Sequence, residues 1–303
     1  MTLQQIRYAI MVSNTNSMNE AAKKLYITQP SLSSAMKELE NEVGIQIFHR
    51  TTKGVNLTEE GKEFLGYAKQ ILDQVELLEE RYSDSGSRKK HFGVSTQHYS
   101  FAVKAFVETV QSRDMKDYEC AIRETKTMDV LRDVRDGRSE IGVLYLNDFN
   151  EKVMQKLFRD HVLEFHKLFD CKSYVYLWKN HPLASKQAIS MKDLDEFPCL
   201  SFEQGENHSF YLAEEILSTY EYKKTIKACD RATILNLMVG LNGYTLCSGI
   251  ICEELNGSDC VAIPLKSAEV MHIGYVTRKK AVLSTLGESY IEEMMKFAQY
   301  TEL

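Results

Sequence analysis

Between Asn19 and Glu40 the spacing of apolar residues changes halfway, and few architectures accommodate such a change. Ala21, Ala22 and Leu25 fall on one face of a short helix, Ile27 follows in a turn, and Leu32, Ala35, Met36 and Leu39 share one face of a second helix. Pro30 stands where the second helix begins, a position at which its missing N–H costs nothing and its fixed φ favours helix. Small Ala21, Ala22 and Ala35 let the two helices approach closely, which leaves Thr28, Gln29, Ser31, Ser33, Ser34 and Lys37 on the outer side. The expected unit is a helix-turn-helix. A second helix with short hydrogen-bonding side chains near its start, carried on a buried first helix, has the shape that enters a DNA major groove. Gln pairs bidentately with adenine, Ser and Thr reach several bases, and Lys contacts phosphate or guanine. Spacing alone fits an ordinary helical hairpin on a protein surface equally well.

The run Ala21-Ala22, Leu25, Gln29-Pro30, Ser33, Leu39-Glu40, Gly44, Phe48, Arg50, Leu57-Thr58 and Gly61 resembles the N-terminal signature of the LysR-type transcriptional regulators. The remaining chain has the length and the alternating strand–helix pattern of that family's effector-binding domain. Ser34 stands where members often carry Arg, Thr28 where Ser is usual, and Ile47 where Leu is usual. The resemblance implies an α/β protein with an N-terminal all-α winged helix-turn-helix, a long linker helix and a two-lobed periplasmic-binding-protein-like effector domain. It implies a sequence-specific DNA-binding regulator controlled by a small metabolite, and not an enzyme. Double-stranded operator or promoter DNA, the effector, further copies in a homodimer or homotetramer, and RNA polymerase are the implied partners. Thr28, Gln29, Pro30, Ser31, Ser33, Ser34 and Lys37 on the recognition helix, with Arg50, Thr51 and Lys53 on a wing, are the expected DNA-binding residues.

Charge is distributed in keeping with contact to DNA at one end. The formal net charge is −6, yet residues 1–57 hold six basic against four acidic side chains. A weakly basic head on an acidic body needs two or more copies to gather enough phosphate contacts. No apolar run reaches the length of a membrane span and the N-terminus lacks a charged segment followed by an apolar one, so the expectation is a cytoplasmic protein without a membrane partner. None of the seven cysteines forms a Cys-x-x-Cys pair, and no histidine clusters with Cys, Asp or Glu at metal spacing. No metal and no cofactor are expected. The cysteines read as reduced, mostly buried thiols; a redox switch between Cys247 and Cys252 is the alternative.

Along the chain, Leu3 to Asn14 reads as a helix packed on the helix-turn-helix, Gly44 as a left-handed cap, and Ile45 to Leu57 as a wing anchored by Phe48 and Val55. Thr58 is a good N-cap with Glu59 and Glu60 in the first turn, and opens a long helix. Its Phe64, Ala68, Ile71, Val75 and Leu78 alternate steps of four and three, the average period of a coiled-coil seam, and are the expected dimerisation residues. Ser83 to Ser87 is the expected linker. The boundaries expected are 1–58 for the head, 59–87 for the linker helix and hinge, and 88–303 for the effector domain.

Within that domain strands alternate with helices, which implies parallel sheets covered on both faces. Expected helices include Phe210 to Tyr220 and Thr233 to Leu241. Lobe one is placed at 88–165 and 268–303 and lobe two at 166–267, with crossings near Phe165 to Leu168 and Pro264 to Ser267. Ligands in open parallel sheets sit beyond the carboxyl ends of strands, near helix N-termini that favour anions. Ser95, Thr96, Gln97, Thr125, Thr127, Phe202 and Gln204 fall there, and are the expected contacts to an anionic or zwitterionic effector. Capping of helices explains any one of them as well. The chain has no Gly-x-Ser-x-Gly elbow, no phosphate-loop Gly-x-x-x-x-Gly-Lys and no Gly-x-Gly-x-x-Gly, so hydrolase, kinase and dehydrogenase readings lack their local signals. A cytoplasmic small-molecule-binding protein without a DNA role is the other alternative.

Overall fold

A computed structural model describes residues 1–51, 54–82, 90–113, 115, 117–205 and 209–300. The chain divides into two compact units, residues 1–86 and residues 87–303.

The first unit opens with three helices, α1 (Leu3–Thr15), α2 (Met18–Lys24) and α3 (Gln29–Val43). Each starts on a hydroxyl that accepts a free N–H of the first turn: Thr2 from Gln5, Ser17 from Glu20, Thr28 from Ser31. Gly44 ends α3 at φ 72°, the left-handed cap expected of it. Ile6, Ala9 and Val12 of α1, Ala21 and Ala22 of α2, and Leu32, Met36 and Leu39 of α3 close one core. Two strands follow, β1 (Phe48–Thr51) and β2 (Gly54–Leu57), paired antiparallel with Phe48 opposite Leu57. The wing is fixed to α3 by Glu40, whose Oε1 accepts from the Ile47 and Phe48 amides at 2.8 and 2.9 Å. A Cβ on Gly54 would stand 2.5 Å from the Asn16 carbonyl, so only glycine lets the wing return this close to α1.

Helix α4 (Glu59–Tyr82) begins beneath the Thr58 hydroxyl, which accepts from Gly61 N at 2.7 Å. Its apolar positions divide between two faces. Leu65 and Ala68 are buried in the head core, with Phe64 and Leu72 packed partly against it, whereas Ile71 is 38% and Leu78 59% exposed. Ala68, read as part of the dimerisation seam, is spent inside its own head because the first turns of α4 lie against α1. The linker Ser83 to Ser87 lies outside the described residues.

The second unit begins with β3 (Lys90–Thr96), α5 (Ser100–Gln111), β4 (Tyr118–Glu124), α6 (Thr127–Arg135) and β5 (Ile141–Leu146). Then come α7 (Glu151–Asp160) and the long β6 (Leu163–Lys172). The second lobe contains β7 (Tyr174–Trp178), β8 (Cys199–Phe202), β9 (Thr225–Ala228), α8 (Arg231–Leu241), β10 (Thr245–Cys247), the short α9 (Glu253–Asn256) and β11 (Cys260–Pro264). The chain returns through β12 (Val270–Arg278) and finishes with α10 (Thr285–Met295).

Lobe one carries a five-stranded sheet in the order β4-β3-β5-β12-β6. Strands β3, β4 and β5 are parallel as expected, but β12 runs antiparallel to both its neighbours. In lobe two β7 lies between β10 and β11, antiparallel to each, while β8 and β9 form a parallel pair. The sheets are therefore mixed where fully parallel ones were expected. Strand β6 stays in lobe one for its whole length, so the outward crossing falls at Ser173 and not at Phe165 to Leu168. The expected helix over Phe210 to Tyr220 is absent; a single 3-10 turn, Phe210–Leu212, stands there, and the following chain runs irregularly through Leu217 at φ 54°.

Candidate functional site

The outer face of α3 is the first candidate surface. Leu32, Met36 and Leu39 are buried, so the rest of the helix is presented outward by construction. Thr28, Pro30, Ser31, Ser34 and Lys37 are exposed, with Gln29 and Ser33 half-buried. Thr28 Oγ1 and Ser31 Oγ lie 2.8 Å apart, and Ser34 Oγ donates to Glu38 Oε1 at 3.3 Å. In the turn before α3, Tyr26 stands 96% exposed at φ 55°. Pattern reading passes over Tyr26, although an aromatic residue at positive φ that shields nothing is a signal in itself. On the wing, Arg50 and Thr51 lie in β1; Lys53 lies outside the described residues.

The second candidate lies between the lobes of the effector domain, where the residues chosen from sequence meet but turn toward one another. Ser95 Oγ donates to Asp133 Oδ2 at 2.7 Å, Thr96 Oγ1 to the Gln97 carbonyl at 2.7 Å, and Gln97 Nε2 to Thr127 Oγ1 at 2.6 Å. Gln97 Oε1 accepts from the Tyr99 hydroxyl and the Tyr145 amide. Thr127 gives its hydroxyl to the Leu212 carbonyl and its amide to Gln204 Oε1, so the start of α6 is capped by lobe two. Thr125 N extends the sheet by donating to the Thr96 carbonyl. The Thr127 bonds to Gln204 and Leu212 join the lobes, and the side-chain polar groups of Ser95, Thr96, Gln97, Thr127 and Gln204 are bonded within the protein.

The segment around residue 212 completes that closure. Leu212 is buried among Val130, Leu131 and Leu144 of lobe one, and Ile216 enters the other core cluster. Glu214 Oε2 accepts from His98 N and lies 2.8 Å from His98 Nδ1, while its Oε1 accepts from Gln204 Nε2. Glu215 Oε1 accepts from the Phe202 amide at 2.9 Å, and its carbonyl accepts from the Tyr145 hydroxyl. The imidazole of His98 stacks on Phe202 with centroids 3.7 Å apart. An ion pair, Arg231 with Glu124, spans the lobes nearby. Burial first, then the neighbouring Glu214, pushes the Glu215 carboxyl up to about 8.

Beside this closure lies a cavity of about 80 Å³. Lobe one contributes His98 to Phe101 at the start of α5, and Met271; lobe two contributes Phe202, Glu214, Glu215, the first turn of α8 and Thr245 to Ser248. Of the residues expected to contact an effector, Phe202 alone lines it. The start of α5 would by itself favour an anion, but Glu214 lies close by, bonded to the His98 amide two residues before the helix. A second carboxylate about 4 Å from Glu214 meets a repulsion of about 4 kcal/mol at a protein-like permittivity. The helix terminus returns about 0.3–2 kcal/mol. Repulsion wins.

Cysteine chemistry at the site is muted. Cys247 lines the cavity, and burial pushes its thiol, like those of Cys171 and Cys199, up to about 12. Cys252 is also raised, by burial first. A thiol held protonated is a poor nucleophile. Among the described residues no group of three or more His, Cys, Asp or Glu could hold a metal, and no helix is long and apolar enough to cross a membrane.

Comparison with known proteins follows the same division. The model of the bacterial regulatory helix-turn-helix protein, lysR family, matches residues 3–62, and that of the LysR substrate binding domain matches residues 98–298. An uncharacterised HTH-type transcriptional regulator of Escherichia coli (strain K12), YbhD, is 23% identical over 294 residues, 95% of this chain and 89% of that one. The RuBisCO operon transcriptional regulator of Allochromatium vinosum is 29% identical over 204 residues, 67% of this chain and 65% of its own. Among solved structures, a full-length OxyR variant from Pseudomonas aeruginosa superimposes with a TM-score of 0.68 at 19% identity, covering 97% of this chain and 98% of that one. A Corynebacterium glutamicum OxyR variant with hydrogen peroxide bound gives 0.51 at 23% identity, covering 99% and 93%. At these identities the likeness is one of fold.

Proposed function

Since the chain belongs to the LysR family of DNA-binding transcriptional regulators, we propose that its outward α3 face reads operator bases and that the interlobe cavity holds the effector that controls it. The observation that carries the DNA reading is the contrast across α3: Leu32, Met36 and Leu39 are sealed in the core, while Thr28, Pro30, Ser31, Ser34 and Lys37 face outward. Gln29 and Ser33 sit beside them at the helix start. Gln29 reads a base, Lys37 and Tyr26 contact the backbone, and Arg50, Thr51 and Lys53 of the wing reach the flanking groove. The exposed Ile71 and Leu78, with Val75, pair α4 with a second copy in a homodimer or homotetramer.

The effector sits against Phe202 in the cavity; Thr96, Gln97, Thr127 and Gln204 position the walls, because their side-chain polar atoms are engaged within the protein, and Thr125 holds the sheet edge through its amide. A ligand that touches both lobes favours the closed form, and that difference in affinity is what can alter the spacing of DNA-binding heads. The chain catalyses no reaction, acts in the cytoplasm and recruits or excludes RNA polymerase at the promoter. The raised thiols of Cys247 and Cys252 favour effector binding over a cysteine switch.

Thermal-shift screening of the intact protein against amines, amino acids, organic acids and aromatic acids tests the effector role, since a ligand preferring the folded state raises Tm. A compound that raises Tm and changes operator affinity supports it. A compound that raises Tm equally when Phe202 is replaced by Ala places binding elsewhere.

A further inference from the structure

The charges around the interlobe cavity indicate what can enter it. Glu214 stands just before α5, where it accepts from His98 N and Gln204 Nε2 and faces His98 Nδ1. The guanidinium in the wall, Arg231, is engaged by Glu124. Glu215 is left beside Glu214, 7% exposed, with the Phe202 amide donating to it. Lys227 acts on it weakly, and the phenols of Tyr99, Tyr145 and Tyr222 and the thiol of Cys199 sense its charge. Tyr176 also lines the cavity; its hydroxyl is buried, with the Cys260 thiol as its neighbour. Ile234, Leu235, Leu246 and Ile250 make the remaining surface apolar.

We propose that this cavity takes a small organic ammonium, a primary amine on a short apolar body, whose charge pairs with the Glu215 carboxylate. The proposal rests on the reading of the cavity as the effector site and assigns the class of effector. About 80 Å³ limits the apolar body to a few carbons. This class differs from the anionic one expected from sequence, because the Thr and Gln donors on which that expectation stood are bonded within the protein. Proton balance follows. With its carboxyl raised to about 8, Glu215 is protonated at neutral pH; the incoming ammonium keeps its three N–H bonds, the O–H of Glu215 breaks, and the proton leaves to solvent.

Titration calorimetry of the intact protein with n-butylammonium chloride, sodium butyrate and norvaline, at matched ionic strength and in two buffers of different protonation enthalpy, tests the assignment. Butylammonium is expected to bind, to release up to one proton at pH 7, and to gain affinity by about tenfold or more between pH 6 and pH 8. Glu215→Gln is expected to weaken it about tenfold and to abolish the proton release. Proton release by the unaltered protein gives the answer even if the variant folds poorly. Butyrate or norvaline binding in place of butylammonium overturns the ammonium class and leaves the cavity as an effector site. Butylammonium binding without proton release, indifferent to Glu215→Gln, overturns it too. Silence from all three overturns both the class and the cavity as a site for ligands of this size.

Discussion

Glu215 is a carboxyl whose surroundings oppose its charge. Burial and the adjacent Glu214 raise it from 4.5 to about 8, so the folded chain holds a proton that the unfolded chain releases. The stabilisation this gives is complete below about 4.5 and is lost as pH rises through about 8. Glu215→Gln, which cannot ionise, should therefore be more stable relative to the natural chain at pH 9 than at pH 5. Thermal unfolding at the two pH values reads this, and a difference that does not change with pH would remove Glu215 as its source. In the first unit, Gln29→Ala should lose about 1–3 kcal/mol of discrimination at one operator base pair while affinity for random DNA stays nearly unchanged. Equal loss on both DNAs would exclude base reading by Gln29. Residue roles were only half legible. Thr58 as a cap and Gly44 as a left-handed stop follow from local chemistry, and both occur. The partners of Gln97 and Thr127, by contrast, come from Tyr145, Leu212 and Gln204, residues that sequence spacing cannot bring to mind.

Elements were legible wherever one periodicity ran unbroken. Helices α1 and α3 show their full apolar stripes. Strand β6 escaped because a bulge opposite Ile273 and Gly274 turns its alternation over: Leu163 and Phe165 face the cluster around Phe158, whereas Phe169 and Cys171 face the one around Phe101. The segment from Phe210 to Tyr220 has helical composition, yet His98 and the Phe202 amide draw Glu214 and Glu215 into the cleft and Leu212 is taken by lobe one. Tertiary contacts override propensity there. Helix α7 could have been found from Met154 and Phe158, the buried pair at i, i+4. On α4, the division between buried Leu65 and Ala68 and exposed Ile71 and Leu78 confines the proposed dimerisation surface to the distal turns. Ile71→Asp would place an unpaired charge in that contact and should yield monomers with poor operator affinity. Sedimentation as an unchanged oligomer would remove α4 as the pairing element.

Across the whole effector domain, closure is built from a few contacts that bridge the lobes: Arg231 with Glu124, His98 with Glu214, and Thr127 with Gln204 and Leu212. Glu124 does not line the cavity, so Glu124→Gln separates closure from ligand contact. It should speed hydrogen exchange at the His98 and Thr127 amides, which lobe two protects, while leaving the central strand β5 unchanged. Uniform exchange rates in both proteins would show that the ion pair does not hold the lobes together. The most direct measurement is fluorescence anisotropy of the intact protein on DNA from upstream of its own gene and on a scrambled duplex, each at two salt concentrations. A DNA-reading regulator binds the first more tightly by a factor that persists at higher salt, while affinity for both falls steeply as salt rises. Equal affinity for the two duplexes at both salts would contradict a base-reading role for α3.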